Sequence, residues 1–268
     1  MKIKILFDAG PLVNGKISGV GKYTQGLISE LANNYPDQLE LVGHYFDFMG
    51  KKDLSSLPQA QNIRYRKTVV LPGKVFNMLR RLGFWIPFEL LTKERGDFHL
   101  FPGFVGWPSL FKTPSAPVIH DLTYIDFPQY VSPIARNDLQ KLVRPAVKRA
   151  TFVITVSESS KAGIGKEYGS LGKPILVEHI PPVGLLKISD SEADAAIKKL
   201  GINESFILFL GNIEPRKNLV GLLNAYSLLA DSIKNQYGLV LAGGSGWQDD
   251  EILDKIKSLR GAGSKIYQ

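Results

Sequence analysis

The sequence predicts an α/β protein with a parallel sheet, followed by a second, shorter α/β domain. Short apolar runs rich in β-branched residues alternate with segments of helical periodicity, which is the pattern of βαβ units. The chain has 268 residues, of which 44% are hydrophobic, so it can bury a full core. A stretch around 181–190, in which Pro181, Pro182 and Gly184 precede polar residues, separates the two parts.

The individual elements follow from these patterns in chain order. Strands are predicted at 3–7, 40–46, 63–69, 98–101, 117–119, 152–156, 175–180, 206–210 and 238–242. Helices are predicted at 21–33, 75–94, 133–149, 158–168, 190–200, 218–234 and 249–259.

The break divides the chain into domains at 1–184 and 185–268. After residue 200 the pattern contains only two strands and two helices, which is too few for an open parallel sheet with both faces covered. We therefore expect a complete first domain and an incomplete second domain.

Composition narrows the choice of partners. Lys and Arg outnumber Asp and Glu by 33 to 25, and the formal charge of +8 favours a polyanion, such as a phosphate-bearing molecule, nucleic acid or an anionic membrane face. No recognisable nucleic-acid reader motif or dense basic stripe is present, so we expect no nucleic-acid partner. The chain has no cysteine, which excludes disulfides and thiolate chemistry.

The N-terminal apolar stretch is short and ends at Asp8, which predicts a first core strand rather than a signal peptide. No run reaches the roughly 18 apolar residues of a membrane span. We expect a cytoplasmic protein, with peripheral contact at the inner face of the membrane as a further possibility.

A glycine-rich stretch, GPLVNGKISGVGKYT at 10–24, leads from the first strand into a helix. Gly19 and Gly21 would allow an anion to approach the backbone N–H groups at the helix start. The stretch matches neither the dinucleotide-binding fingerprint nor the P-loop, since the required glycines are missing. A flexible loop whose glycines only permit tight turns remains the alternative.

His120 and Asp121 follow the predicted strand at 117–119, where ligands of open α/β sheets bind. A histidine there can exchange a proton or a hydrogen bond with a substrate hydroxyl, but it could equally be a structural residue. His44, His99 and His179 lie in or beside apolar runs and are expected in the core or at an edge. No metal-binding motif occurs, so no bound metal is expected.

The segment GNIEPRKN at 211–218 follows the apolar strand 206–210 and precedes an amphipathic segment. A glycine turn with two adjacent cations, Arg216 and Lys217, at the carboxyl end of a buried strand is suited to hold an anion.

Taken together, five segments resemble the nucleotide-sugar-dependent glycosyltransferases of family four, whose GT-B architecture has two Rossmann-like domains. The segments are SGVGKYT, HDLTYIDFP, ITVSESSKAGI, ILFLGNIEPRKNLVGLLNAYSLL and LVLAGGSGW, and 207–229 is the most specific of them. The resemblance implies a retaining hexosyltransferase, mannosyltransferase-like, without metal or other cofactor. Its co-substrate would be a nucleotide diphosphate sugar such as GDP-mannose or a UDP-sugar.

The resemblance also assigns site residues. Arg216 and Lys217 match the basic pair that binds the donor diphosphate and stabilises the leaving group. His120 matches the histidine that touches the transferred sugar, and it joins Arg216 and Lys217 as a catalytic candidate. The expected donor-binding residues are Gly19, Gly21, Gly211, Asn212, Arg216, Lys217, Gly243 and Gly244.

The family's paired glutamates, separated by seven residues, are not found after residue 247. A sequence truncated within the C-terminal domain would explain this. The leading function is hexose transfer to a glycan or lipid-linked acceptor in polysaccharide or lipopolysaccharide synthesis. The alternative is a non-catalytic remnant, or one half of a split enzyme that needs a complementing chain. The segment 75–93 would suit membrane contact, against the alternative of an ordinary amphipathic helix packed on the sheet.

Overall fold

The computed structural model describes residues 2–13, 17–69, 73–179, 188–246 and 248–268, excluding the side chains of Lys74 and Asn77. The proline-rich break at 181–184 and Trp247 lie outside the described residues. The described chain divides into two compact units. Unit 1 comprises Met1–Pro128 and Pro133–Gly184, and unit 2 comprises Gln129–Ser132 and Leu185–Gln268.

Unit 1 contains a seven-stranded sheet in which every neighbouring pair is parallel. Its strand order is β3-β2-β1-β4-β5-β6-β7. The order reverses beside β1, which is the arrangement that opens a crevice at the carboxyl ends of the strands. The strands are β1 (Ile3–Asp8), β2 (Leu39–Phe46), β3 (Ile63–Thr68), β4 (Phe98–Phe101), β5 (Ser115–Ile119), β6 (Val153–Thr155) and β7 (Ile175–Val177).

Helices connect these strands and cover the sheet. They are α1 (Gly19–Asn34), α2 (Gly73–Arg81), α3 (Phe88–Thr92), α4 (Thr123–Asp126), α5 (Pro133–Arg149) and α6 (Glu158–Tyr168). Successive residues of β1 point to opposite faces. Phe7 packs with Leu12 and Ile28 on the side of α1, whereas Leu6 packs with Phe76 and Phe88. The sheet is therefore covered on both sides of β1.

Unit 2 has three parallel strands in the order β10-β9-β8 within its described residues. Its core joins the sheet to two amphipathic helices through Leu219, Leu223, Leu239, Leu241 and Ile252. The elements are α7 (Asp190–Lys199), β8 (Ser205–Leu210), α8 (Leu219–Ser227), α9 (Asp231–Gln236), β9 (Tyr237–Ala242), α10 (Asp250–Gly261) and β10 (Ile266–Tyr267).

The predicted α/β class and parallel sheet are confirmed, whereas the predicted helices and strands were wrong in four places. The predicted helix 75–94 is two helices, because Gly83 adopts φ of 89° and Pro87 precedes α3. The predicted helix 218–234 is also two, α8 and α9. The short helix α4 was not predicted. Neither was β10, so three strands rather than two follow residue 200.

No helix among the described residues is both long and apolar enough to cross a bilayer.

Candidate functional site

In unit 2, the loops that follow β8 and β9 lie side by side at the carboxyl edge of the sheet. Gly211 N–H donates to the carbonyl of Ala242, and Ile213 N–H donates to the carbonyl of Gly244, both at 2.9 Å. Gly246 N–H donates back to the carbonyl of Ile213, also at 2.9 Å. These hydrogen bonds make the two loops one rigid surface and bring the predicted residues Gly211, Gly243 and Gly244 together.

Two of these glycines are required by backbone geometry. Gly211 has a backbone φ of 150°, which residues other than glycine rarely adopt. A Cβ on Gly243 would lie 1.9 Å from the carbonyl oxygen of Gly211, which is impossible without moving a loop. A Cβ on Gly244 would have no heavy atom of the described residues within 4 Å. Among these residues, Gly244 therefore leaves open space beside the paired loops.

Arg216 and Lys217 lie on a 3₁₀ turn, Pro215–Lys217, that leads directly into α8. Asn218 connects the turn to the helix with a left-handed φ of 53°. The first N–H groups of a helix are unpaired and carry partial positive charge. The turn therefore places two cations next to the positive end of α8, which is an arrangement that binds phosphate groups.

The two cations differ in their surroundings. The guanidinium of Arg216 pairs with the carboxylate of Glu214, with 2.7 Å between Nη2 and Oε1. Lys217 is exposed and has no ion pair among the described residues. Asn212, the remaining predicted residue of this loop, is also exposed. Sequence reasoning missed Glu214, although a glutamate two residues before an arginine in the same loop is a visible signal.

In unit 1, the glycine-rich stretch begins α1 after a 3₁₀ turn at Gly10–Leu12. Ser18 caps the helix, because its Oγ accepts a hydrogen bond from Gly21 N–H at 3.3 Å. A Cβ on Gly21 would lie 2.7 Å from the carbonyl oxygen of Pro11, whereas a Cβ on Gly19 would meet no heavy atom of the described residues within 4 Å. Gly21 is thus required by packing, and the described residues leave space beside Gly19.

Asp8 supports this loop from the carboxyl end of β1. Its Oδ1 accepts a hydrogen bond from Gly10 N–H at 2.9 Å, which fixes the turn against which Gly21 packs. Burial raises the pKa of the Asp8 carboxyl group above its usual value. Sequence analysis noted Asp8 only as the end of a strand.

His120 directly follows β5 and contacts α1 through Tyr23, which lies one turn after the start of that helix. The rings of Tyr23 and His120 are perpendicular, with centroids 5.0 Å apart. Nε2 of His120 donates a hydrogen bond to the carbonyl oxygen of Pro102 at 2.7 Å. Burial lowers the pKa of His120, although the Pro102 carbonyl and the nearby Asp121 carboxylate oppose that shift. Unit 1 therefore brings His120 and the glycine-rich helix start together.

The other histidines have the surroundings expected of core or edge residues. His44 and His99 are buried at 1% and 0% exposure, while His179 is exposed just after β7. Within the described ranges, no three His, Asp or Glu side chains are grouped so that they could hold a metal ion.

Comparison with known proteins places this arrangement in a class. No family model matches the chain. O-antigen chain mannosyltransferase B of Escherichia coli is 26% identical in an alignment of 266 residues that covers 95% of this chain and 68% of that protein. Serotype-specific mannosyltransferase WbdA of E. coli is 30% identical in an alignment of 99 residues that covers 35% of this chain and 12% of that protein.

Solved structures show the same fold at low sequence identity. HepE of Anabaena, crystallised with UDP and glucose, has a TM-score of 0.59 and 16% identity, with 99% of this chain and 68% of that chain covered. WaaG, a glycosyltransferase involved in lipopolysaccharide biosynthesis, has a TM-score of 0.57 and 15% identity, with 98% and 69% covered.

The chain therefore has the GT-B fold. The relatives that it resembles in sequence are mannosyltransferases, which agrees with the expected GT-B glycosyltransferase and with the expected enzyme class, hexosyltransferase.

Proposed function

We propose that this enzyme transfers a hexose, with mannose as the first candidate, from a nucleotide diphosphate sugar to a glycan or lipid-linked acceptor. We further propose that the reaction retains anomeric configuration and serves cell-surface polysaccharide or lipopolysaccharide synthesis. The observation that carries the proposal is the Arg216–Lys217 turn at the start of α8. The mannosyltransferase relative that spans 95% of the chain supports the choice of sugar.

The chemistry follows from the charge of the leaving group. Negative charge develops on the nucleoside diphosphate as its bond to the sugar breaks, and fixed cations that lower the energy of that charge accelerate the reaction. We assign this role to Arg216 and Lys217, with Gly211, Asn212, Gly243 and Gly244 next to the nucleotide. Two cations and a helix start supply positive charge at this site, and we propose that the reaction proceeds without a metal ion.

In unit 1 we assign His120 to a hydroxyl group of the transferred sugar and the Gly19–Gly21 helix start to the donor phosphates. Gly19 supports this assignment because no heavy atom of the described residues lies within 4 Å of a Cβ built on it. His120 supports it because its ring follows β5 at the carboxyl edge of the sheet, where open α/β sheets bind ligands.

We also propose that unit 1 contacts the inner face of the membrane through 75–93. In this segment Phe76, Phe88 and Leu91 are buried, so part of the segment packs on the sheet as an amphipathic helix would. Leu82 and Phe84, however, are 66% and 67% exposed.

A neighbouring groove supports the same contact. It has a volume of about 600 Å³ and is lined by apolar side chains, including Val69 and Leu90, together with Lys67 and Lys93. Apolar side chains with adjacent cations are suited to an anionic lipid surface.

The decisive experiment is a transfer assay with the 268-residue chain alone. GDP-mannose and UDP-glucose, each labelled in the sugar, are incubated with the protein and either a mannose-terminated oligosaccharide or water as acceptor. Transfer or hydrolysis that depends on Arg216 would establish the activity and the donor. Absence of both, with activity appearing only when a complementing chain is added, would instead establish a split enzyme.

A further inference from the structure

The imidazole of His120 is held by groups from separate segments of unit 1. Nε2 contacts the carbonyl oxygen of Pro102 at 2.7 Å. The ring of Tyr23 lies perpendicular to the imidazole at 5.0 Å, and that of Phe104 lies at 5.3 Å with an interplanar angle of 54°. The main-chain carbonyl of His120 accepts a hydrogen bond from Oγ of Ser160 at 2.9 Å. These contacts fix both the backbone and the plane of the ring.

The Pro102 contact determines which ring nitrogen carries the proton. A carbonyl oxygen can only accept a hydrogen bond, so Nε2 of His120 must be the donor. In a neutral imidazole with a proton on Nε2, Nδ1 carries a lone pair and can only accept. No hydrogen bond within the described residues uses Nδ1, so this nitrogen remains available to a ligand.

Tyr23 is the contact that comes from the glycine-rich helix. It is only 2% exposed, and its hydroxyl is buried without a hydrogen-bond partner in the described part of the chain. The packing of its ring against His120 is therefore a better explanation for a tyrosine here than a hydrogen bond from its hydroxyl. A perpendicular pair of aromatic rings at this separation is favourable and directional.

We propose that Tyr23 is a positioning residue that holds His120 as the neutral tautomer protonated at Nε2, so that Nδ1 accepts a hydrogen bond from a sugar hydroxyl. The identity of the ligand rests on the proposed function, whereas the tautomer and its dependence on Tyr23 do not. The ligand group that contacts Nδ1 must be a hydrogen-bond donor. A fluorine in place of that sugar hydroxyl cannot donate a hydrogen bond, so it should not substitute for the hydroxyl.

The tautomer is tested in the ligand-free protein. Protein labelled with ¹⁵N at its four histidines is examined by NMR near neutral pH, where ¹⁵N shifts distinguish a protonated from an unprotonated ring nitrogen. A His120→Gln variant assigns the His120 signals. We expect a single neutral form with Nε2 protonated in the wild type, and a mixture of ring forms in Tyr23→Leu.

Tyr168→Leu is the matched control. Tyr168 is also buried, at 4% exposure, and its hydroxyl pairs with that of Tyr124 rather than with His120. Its replacement should cost similar stability in thermal unfolding but leave the His120 signals unchanged. Tyr23→Phe keeps the ring and should keep the wild-type signals. Protonation of His120 at Nδ1 in the wild type, or unchanged signals in Tyr23→Leu, would overturn the proposal.

The ligand group is tested with GDP-mannose analogues in which one sugar hydroxyl at a time is replaced by fluorine. One analogue should bind about tenfold more weakly than GDP-mannose to the wild type, as expected for one lost hydrogen bond. That difference should shrink in Tyr23→Leu and disappear in His120→Ala. If the analogue loses the same factor of affinity in all three proteins, His120 does not bind the sugar. If Arg216→Ala leaves GDP binding unchanged, the proposed function fails instead, whatever the histidine signals show.

Discussion

Glu214 and Arg216 form an ion pair within the loop that carries the proposed diphosphate site. Nη2 of the arginine lies 2.7 Å from Oε1 of the glutamate, and the two side chains are 40% and 20% exposed. Pro215 lies between them and restricts the backbone of the turn. The contact uses one of the five N–H donors of the guanidinium, so the remaining donors can still bind phosphate oxygens while the carboxylate stays nearby.

Replacement of the carboxylate should strengthen the binding of a nucleoside diphosphate. In Glu214→Gln the amide keeps the shape of the side chain but removes a negative charge close to the anion. A unit charge several ångströms away in a largely solvated site contributes on the order of 1 kcal/mol, or about fivefold in affinity. Calorimetric titration with GDP and UDP at two salt concentrations measures the affinity of the variant and of the wild type. The gain in affinity should be smaller at the higher salt concentration. Weaker binding would show that Glu214 mainly orients Arg216.

Removal of either cation should weaken diphosphate binding. Hydrogen bonds to charged groups contribute about 1.5–3 kcal/mol, so we expect Arg216→Ala and Lys217→Ala to lose roughly ten- to a hundredfold in GDP or UDP affinity. Lys265→Ala is the matched control, because Lys265 is 41% exposed and pairs with a glutamate, Glu204, at 3.9 Å. Lys265 precedes β10 and thus lies at the opposite edge of the sheet. Equal affinity for all variants and the wild type would reject the site.

A methyl group at Gly243 should disrupt the paired loops, whereas one at Gly244 should not. The Cβ of Gly243→Ala would overlap the carbonyl oxygen of Gly211, while that of Gly244→Ala meets no heavy atom of the described residues within 4 Å. Overpacking of this kind costs about 1–3 kcal/mol. We expect Gly243→Ala to lower the free energy of unfolding in urea and to weaken GDP binding. Gly244→Ala should keep wild-type stability, and equal stability of the two variants would contradict this account of the loops.

Much of the fold could be predicted from local sequence pattern. The runs that form β1, β8 and β9 are apolar, contain aromatic and β-branched residues, and are bounded by polar or glycine residues, so their type and position can be predicted from the sequence. The strand β10 was missed because it contains only Ile266 and Tyr267 and forms through pairing with β9. The break between α2 and α3 did have local signals, Gly83 and Pro87, but the continuous amphipathic pattern outweighed them.

The site was less predictable, because its geometry depends on residues far apart in sequence. The position of His120 after a strand was visible, but its hydrogen bond to Pro102, 18 residues earlier, determines its proton and could not be read from local pattern. Its ring contact with Tyr23 joins two segments nearly a hundred residues apart. The close approach of Gly243 to Gly211 likewise requires β8 and β9 to be neighbours. The assigned roles of these residues remain predictions that the experiments above address.

Membrane contact through 75–93 should depend on exposed apolar side chains. Phe84→Ser removes an aromatic ring that is 67% exposed, and we expect about tenfold weaker binding to vesicles that contain anionic phospholipid. Leu228→Ser is the matched control, because Leu228 in unit 2 is 85% exposed and lies outside the segment. Vesicle co-sedimentation measures both variants. If Phe84→Ser binds the vesicles as well as the wild type does, the segment is an ordinary pair of helices packed on the sheet.

Stability in mild acid should depend on His44, which is buried in β2 with Nε2 at 2.8 Å from Oγ1 of Thr68. Burial lowers its pKa from 6.5 to about 4. The folded state therefore favours the neutral ring, and the stability that this residue contributes is complete above pH 6.5 and is lost as the pH falls towards 4. The loss is on the order of 3 kcal/mol.

Urea unfolding of the wild type and His44→Gln as a function of pH isolates this contribution. Other ionisable groups titrate in both proteins, so their effects cancel in the difference between the two profiles. Glu94, for example, has its pKa lowered to about 2 by Arg64 and by Arg66 and Lys4, and its contribution to stability is lost only as the pH falls from 4.5 towards 2. We therefore expect the wild type to lose more stability than the variant between pH 6.5 and 4. Parallel profiles over that range would mean that His44 ionises in the folded protein as it does in the unfolded chain.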